Sequence, residues 1–140
     1  MDKIENFIFT AMFLLTLTSV AFSYHIENKY NTTEVHSVGR YALYAEKIEL
    51  ACKDRTNIEI EETFYHEAGH HIYYDSMSRS KREAWDLIVE TYPDDALTKY
   101  AKTDNEEDFA ETYMKYRMND CPMDNPRCIF AEKMYKKYVV

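Results

Sequence analysis

Apolar residues recur every three or four positions along much of the chain, a spacing typical of helices that bury one face. Helices are therefore predicted over residues 40–53, from about 61–63 through the aromatic stretch that follows, and over 80–91, 96–101, 105–116 and 129–138. Apolar and polar residues alternate over 32–38 and 57–61, which predicts two short strands. The pattern predicts an α+β fold that is mainly α, with a small N-terminal sheet.

The N-terminal segment breaks this pattern, because residues 7–22 form a mostly apolar run without a charge. The run ends in Ala21-Phe22-Ser23, a small-x-small sequence of the kind that signal peptidases cleave. We interpret residues 1–23 as a signal peptide, which makes the protein secreted, periplasmic or extracellular. The alternative is a retained membrane anchor over residues 7–22, since Asp2 and Glu5 balance the positive charge expected at the start of a leader.

Composition predicts one acidic domain over residues 24–140. The formal net charge of the 140-residue sequence is −8, which makes nucleic acid a poor partner and favours a basic or neutral peptide over an acidic one. The two glycines and three prolines in the whole chain argue against long disordered linkers. We expect a monomer.

The candidate chemistry lies in an H-E-x-x-H motif formed by His66, Glu67 and His70. On a helix the two histidines project from one face, about 6 Å apart, and can share one metal ion. Glu67 lies about 100° round the helix, where it can take a proton from a water that the metal activates. Zinc with three protein ligands and an open fourth position supports this chemistry. Gly69, within the same helix, predicts that a neighbouring element packs closely there.

A third metal ligand has to come from elsewhere in the chain. In metzincins a further histidine follows six residues after the motif, but that position is Ser76, which excludes this class. A later segment predicts a helix, capped by Asp104 or Asn105, that carries Glu107 and Glu111 on one face. The two carboxylates lie one turn apart, so one can bind the metal while the other orients a ligand histidine. Spacing alone leaves both assignments open.

The segments TFYHEAGHHI and YAKTDNEEDFAE resemble the catalytic core of the anthrax lethal factor-like zinc metallopeptidases, a family that includes the secreted Pro-Pro endopeptidases. In that family an H-E-x-G-H motif is followed by a tyrosine that lies seven residues before an E-x-F-A-E motif. Tyr100 stands seven residues before Glu107, and residues 107–111 match the second motif. The resemblance covers about residues 62–116 and implies a small zincin-like metallopeptidase catalytic domain.

The same resemblance implies a role for each matching residue. The ligands of one zinc ion per chain would be His66, His70 and Glu107, and the motif glutamate would be the general base. Tyr100 would stabilise the oxyanion, although packing is its alternative role in a chain with 13 tyrosines. Glu111 would hydrogen-bond near a ligand histidine.

These residues favour an exported zinc endopeptidase that acts on a peptide or protein substrate. The alternative is a catalytically inactive zincin-fold module that binds or inhibits a partner, although such a module has no need of the base Glu67. A third interpretation places the histidines as packing residues of a membrane-anchored structural protein. His71 is expected to face solvent or to be satisfied in the core, and the alternatives are a pairing with Glu67 or a position lining the cleft.

The three cysteines predict one disulfide. In an exported protein a bond between Cys121 and Cys128 is expected to close the loop between them, which leaves Cys52 over. The sequence also leaves open a pairing of Cys52 with either of the other two. No CxxC pair or nearby histidine completes a second metal site.

Overall fold

The computed structural model describes residues 25–28, 39–42, 47–50 and 55–139. Three four-residue strands come first: β1 (His25–Asn28), β2 (Gly39–Ala42) and β3 (Lys47–Leu50). The continuous stretch from residue 55 onward forms four α-helices, which are α1 (Asn57–His71), α2 (Arg79–Thr91), α3 (Asn105–Arg117) and α4 (Pro126–Tyr138). A π-helical turn extends α1 over Ile72–Ser76, and two 3-10 turns, Pro93–Asp95 and Tyr100–Lys102, lie between α2 and α3.

The prediction of an α+β fold with a small N-terminal sheet is wrong. The continuous stretch, residues 55–139, contains no strand, and its fold is helical. The strand predicted over residues 57–61 is the first turn of α1, and the one predicted over 32–38 lies outside the described residues. A capping box explains the early helix start, because Thr56 and Glu59 each accept a hydrogen bond from the backbone N–H of the other, at 3.3 and 2.7 Å.

The prediction of a helix over residues 40–53 is also wrong, because β2 and β3 occupy much of this segment. β3 pairs in parallel with β1 and antiparallel with β2, in the order β1-β3-β2. Ile48 and Leu50 are both buried in the core, as two residues on one face of a strand can be. Residues outside the described part separate these short strands from one another and from residues 55–139. The continuous stretch itself remains helical.

A close contact in the core joins α1 to α3 at Gly69. A Cβ added there would lie 2.8 Å from the Cα of Ala110 and 3.2 Å from its carbonyl oxygen, so the contact needs a residue without a side chain. The close packing predicted at Gly69 is confirmed. The core around this contact combines large apolar side chains from all four helices and the π-helical turn, among them Ile72, Trp85, Phe109, Tyr113 and Phe130.

Helix α2 is tied to the start of α3. The indole N–H of Trp85 donates to the carbonyl of Asn105 at 2.7 Å, and the Asn105 amide donates to Asp86 at 2.7 Å. The helix predicted over residues 96–101 is wrong, since helical structure there is limited to the 3-10 turn at Tyr100–Lys102. The Thr98 hydroxyl accepts the Ala101 N–H at 3.0 Å, a local bond that competes with the regular helical pattern.

Helix α4 begins three residues before its predicted start, at Pro126, after Asn125 accepts the Arg127 N–H at 2.8 Å. A disulfide joins Cys121 to Cys128 with the Cα atoms 5.8 Å apart, so the predicted pairing is confirmed. Cys52 lies outside the described residues.

A buried ion pair holds α4 against α3. The Arg127 guanidinium donates to both carboxylate oxygens of Asp108, at 2.9 to 3.0 Å, and to the carbonyl of Tyr92 at 2.6 Å. Both charged side chains are almost completely buried. The pair therefore fixes α3 at the residue next to Glu107.

Within the described part of the chain, no helix is both long and apolar enough to cross a bilayer. The predicted leader over residues 1–23 and the alternative anchor over 7–22 lie outside that part.

Candidate metal centre

Helices α1 and α3 bring His66, His70 and Glu107 together. The Nε2 atoms of the two histidines lie 3.2 Å apart. Oε2 of Glu107 lies 3.2 Å from Nε2 of His66 and 3.3 Å from Nε2 of His70. The three side chains are 13 to 19% exposed, so the group is open to solvent on one side.

The three atoms form a nearly equilateral triangle that fits one metal ion. Ligands about 2.0–2.1 Å from zinc, at tetrahedral angles, lie about 3.3 Å from one another. The separations in the triangle agree with this distance. Oε2 of Glu107 is buried and makes no hydrogen bond within the described residues, so a cation would supply the partner that its charge lacks. The geometry fits a metal ion without selecting zinc among metals.

Glu111 lies behind His66 and outside the triangle. Its Oε1 is 2.8 Å from Nδ1 of His66. An ionised carboxylate can only accept, so Nδ1 donates, and in the neutral ring Nε2 then presents its lone pair to the triangle. Burial opposes ionisation of Glu111, but its hydrogen bonds with His66 and Thr98 outweigh burial and hold its pKa below the usual value. Spacing left open which carboxylate faces the histidines. In the structure Glu107 faces both rings, and Glu111 contacts only that of His66.

Burial favours the neutral form of His70. Desolvation, followed by the nearby charge of His66, lowers the pKa of His70 to about 4. Burial also acts to lower the pKa of His66, but the hydrogen bond to Glu111 and the surrounding carboxylates outweigh it and leave that pKa raised. A metal ion would replace a proton on either ring, because only a neutral imidazole nitrogen binds a metal.

The motif glutamate, Glu67, is only 6% exposed. Burial raises its pKa to about 7, with a further contribution from the charge of Glu107 and against the opposing effect of His66. A carboxyl group with a pKa near neutrality can accept and return a proton at neutral pH, as a general base requires.

Tyr100 reaches the edge of the site on its 3-10 turn. Its ring centroid lies 5.9 Å from that of His66, and its side chain is 53% exposed. Burial of the phenol, together with the charge of Glu107 and a hydrogen bond to it, raises the pKa of Tyr100. The hydroxyl therefore keeps its proton at neutral pH and can act as a donor.

Tyr74 was not among the predicted site residues, and the π-helical turn places it over His70. The two ring centroids lie 6.2 Å apart with an angle of 23° between the rings, and the phenol donates a hydrogen bond to Glu106. A signal was present, since Tyr74 follows His70 by four residues and shares its helix face. His71, in contrast, is buried with Nδ1 3.1 Å from Oδ2 of Asp75, which confirms the core position among its predicted states.

Comparison of the chain with protein-family models, with curated proteins and with solved structures finds no match. The resemblance to the lethal factor-like metallopeptidases therefore rests on the two sequence motifs.

Proposed function

We propose that the protein is a zinc-dependent endopeptidase. The observation that carries the proposal is the triangle of donor atoms from His66, His70 and Glu107. The buried Glu67 directly follows His66 in the chain. Two imidazoles and one carboxylate are a donor set of catalytic zinc, and they leave a fourth position open. When bound there, zinc lowers the pKa of a water molecule to about 7 and polarises a carbonyl oxygen.

The side chains of the site then divide the remaining work. Glu67 takes the proton of the attacking water and returns it to the leaving amine. Tyr100 donates a hydrogen bond to the negative charge that develops on the carbonyl oxygen. Glu111 holds the ring of His66 in the orientation that directs Nε2 toward the triangle.

We propose a peptide or protein as the substrate and a monomer as the active form. The net charge of −8 disfavours nucleic acid. The apolar segment over residues 7–22 is the argument for export, and the Cys121–Cys128 disulfide is a bond that persists in oxidising compartments.

The first test is the metal content of the purified full chain, measured by mass spectrometry. We expect one zinc per chain in wild type and in Glu67→Ala, and weakened or lost zinc in Glu107→Ala. Glu106→Ala is the matched control for zinc content, because Glu106 precedes Glu107 on the same helix and bonds Tyr74 instead of facing the histidines.

Digestion of a peptide library by the same wild-type and Glu67→Ala samples separates an enzyme from a binding module. We expect cleavage by wild type and none by Glu67→Ala. Stoichiometric zinc without any cleavage would replace the peptidase by a non-catalytic binding or inhibitor module. Absence of zinc from the wild-type chain would refute the site itself.

A further inference from the structure

A cavity of about 400 Å³, here called the side pocket, opens between the π-helical turn, α2 and the start of α3. Tyr73 and Tyr74 contribute aromatic surface to it, and Asp86 and Glu106 contribute carboxylates. Its volume falls within the range of pockets that hold small ligands or one side chain of a peptide.

The side pocket adjoins the candidate metal centre through two residues. The ring of Tyr74 stacks against His70 at 6.2 Å and also lines the pocket. Glu106, which also lines the pocket, directly precedes Glu107 on α3. The hydrogen bond from the Tyr74 phenol to Glu106 joins these two walls. A peptide bound at the metal centre would therefore have a neighbouring side chain within reach of the pocket.

The arginines that line the pocket are already engaged. Arg79 donates to Glu83 at 2.8 Å on the outer rim, where both side chains are mostly exposed. Arg82 directs its guanidinium at the carbonyl oxygens of Met77 and Tyr73, at 2.6 and 3.2 Å, and so closes the end of the π-helical turn.

Two of the three carboxylates accept hydrogen bonds from neutral groups. Asp86 accepts from the amide of Asn105 at 2.7 Å, and Glu106 accepts from the phenol of Tyr74. With two arginines and three acids, the lining has a net charge of −1. Burial, followed by the charges of Asp86 and Glu106 and against the opposing charge of Arg82, raises the pKa of the pocket residue Tyr73 to about 12.

From this arrangement we propose that the side pocket binds a basic side chain of the peptide substrate, next to the bond that is cleaved. The apolar stem of a lysine or arginine would lie along the rings of Tyr73 and Tyr74, and its cationic head would meet Glu106 and Asp86. The proposal rests on the proposed peptidase function and adds a substrate class to it.

Matched peptides test the proposal with the zinc-loaded full chain. The peptides differ at one position, which is lysine or the neutral norleucine, and that position is moved through the residues on either side of the scissile bond. We expect kcat/KM to be about tenfold higher for lysine at one position, the gain typical of one charge-assisted hydrogen bond. Glu106→Gln and Asp86→Asn should each reduce this ratio severalfold, and Glu132→Gln on α4, outside the pocket, should preserve it.

A binding measurement makes the test independent of turnover. Glu67→Gln, which lacks the base, should bind the preferred lysine peptide about tenfold more tightly than its norleucine counterpart. Equal values for the two peptides, or a preference that survives both pocket substitutions in variants with wild-type zinc content, would overturn the side-pocket proposal and leave the peptidase in place. If wild type cleaves no peptide and Glu67→Gln binds none, both proposals fall together.

Discussion

Gly69→Ala should separate the two helices that carry the metal site. In an unobstructed helix this substitution stabilises by about 1 kcal/mol, because alanine restricts the unfolded chain and favours the helix. Here the new methyl group would lie 2.8 Å from the Cα of Ala110, 3.2 Å from its carbonyl oxygen and 3.3 Å from the Cβ of Tyr113. Normal carbon–carbon contact begins at about 3.5 Å, so α1 and α3 must move apart by roughly 0.7 Å.

The change in the free energy of unfolding is the balance of overpacking and helix propensity. Overpacking against neighbours that cannot rotate away costs about 1–3 kcal/mol, and two of the three contacts here are backbone atoms. After the gain of about 1 kcal/mol in helix propensity is subtracted, we expect a net loss of up to about 2 kcal/mol in the free energy of unfolding. Metal sites tolerate about 0.2 Å in ligand distance, so the same movement should lower zinc affinity at least tenfold, since the ligands come from both helices.

Urea denaturation followed by circular dichroism measures the loss of stability, and competition with a chelator measures zinc affinity. Ala84→Gly on the exposed face of α2 is the control, because it reports helix propensity without a packing contact and should destabilise by about 1 kcal/mol. A Gly69→Ala variant as stable as wild type, with unchanged zinc affinity, would refute the proposed role of the close contact.

Four further outcomes are expected. Glu111→Ala should lower zinc affinity by about 10–100-fold in a chelator competition while the circular dichroism spectrum stays helical, because a ligand histidine loses its orienting partner. Arg127→Met should cost about 3–5 kcal/mol in urea denaturation, since it leaves the carboxylate of Asp108 buried without its partner. Cys121→Ser should cost about 2.5 kcal/mol in the same assay, the chain entropy of so short a loop, and reduction of the wild type should reproduce it. Free zinc at 100 times its Kd should stabilise the wild type by about 2.7 kcal/mol in a thermal melt, and a similar shift in Glu107→Ala would contradict the ligand set.

The parts of the site that local spacing determines could be predicted from the sequence. Two histidines four residues apart share a helix face in any fold, and the structure places their Nε2 atoms 3.2 Å apart. The choice between Glu107 and Glu111 needed more than spacing, because residues one turn apart share a face. The packing of α3 against α1 decides which carboxylate faces both rings.

The wrong helix prediction over residues 40–53 arose because those residues fit two periods, that of a helix and that of a strand. Over residues 40–53, Tyr41, Tyr44 and Ile48 recur at helical spacing, while Ile48 and Leu50 also alternate as in a strand, and the structure follows the alternation. The π-helical turn depends on a tertiary contact, since Arg82 from α2 donates to carbonyl groups at its end. That contact could not be predicted from residues 72–76 alone.

The same pair of helices, α1 and α3, packs together in the core of the fold and carries the ligands of the candidate site. The packing of these helices therefore sets the ligand positions, and a change in that packing should disturb them. The Gly69–Ala110 contact sets the distance between α1 and α3, and the ion pair at Asp108 fixes α3 from its other side. Glu107 lies between these two constraints, so its carboxylate is held facing the two histidines although no hydrogen bond from the described residues reaches its buried oxygen. Packing of two histidines alone does not require a carboxylate oxygen there, because a buried oxygen without a hydrogen-bond donor is destabilising. The buried Oε2 of Glu107, which faces both imidazoles, is therefore the strongest physical argument that the site holds a cation.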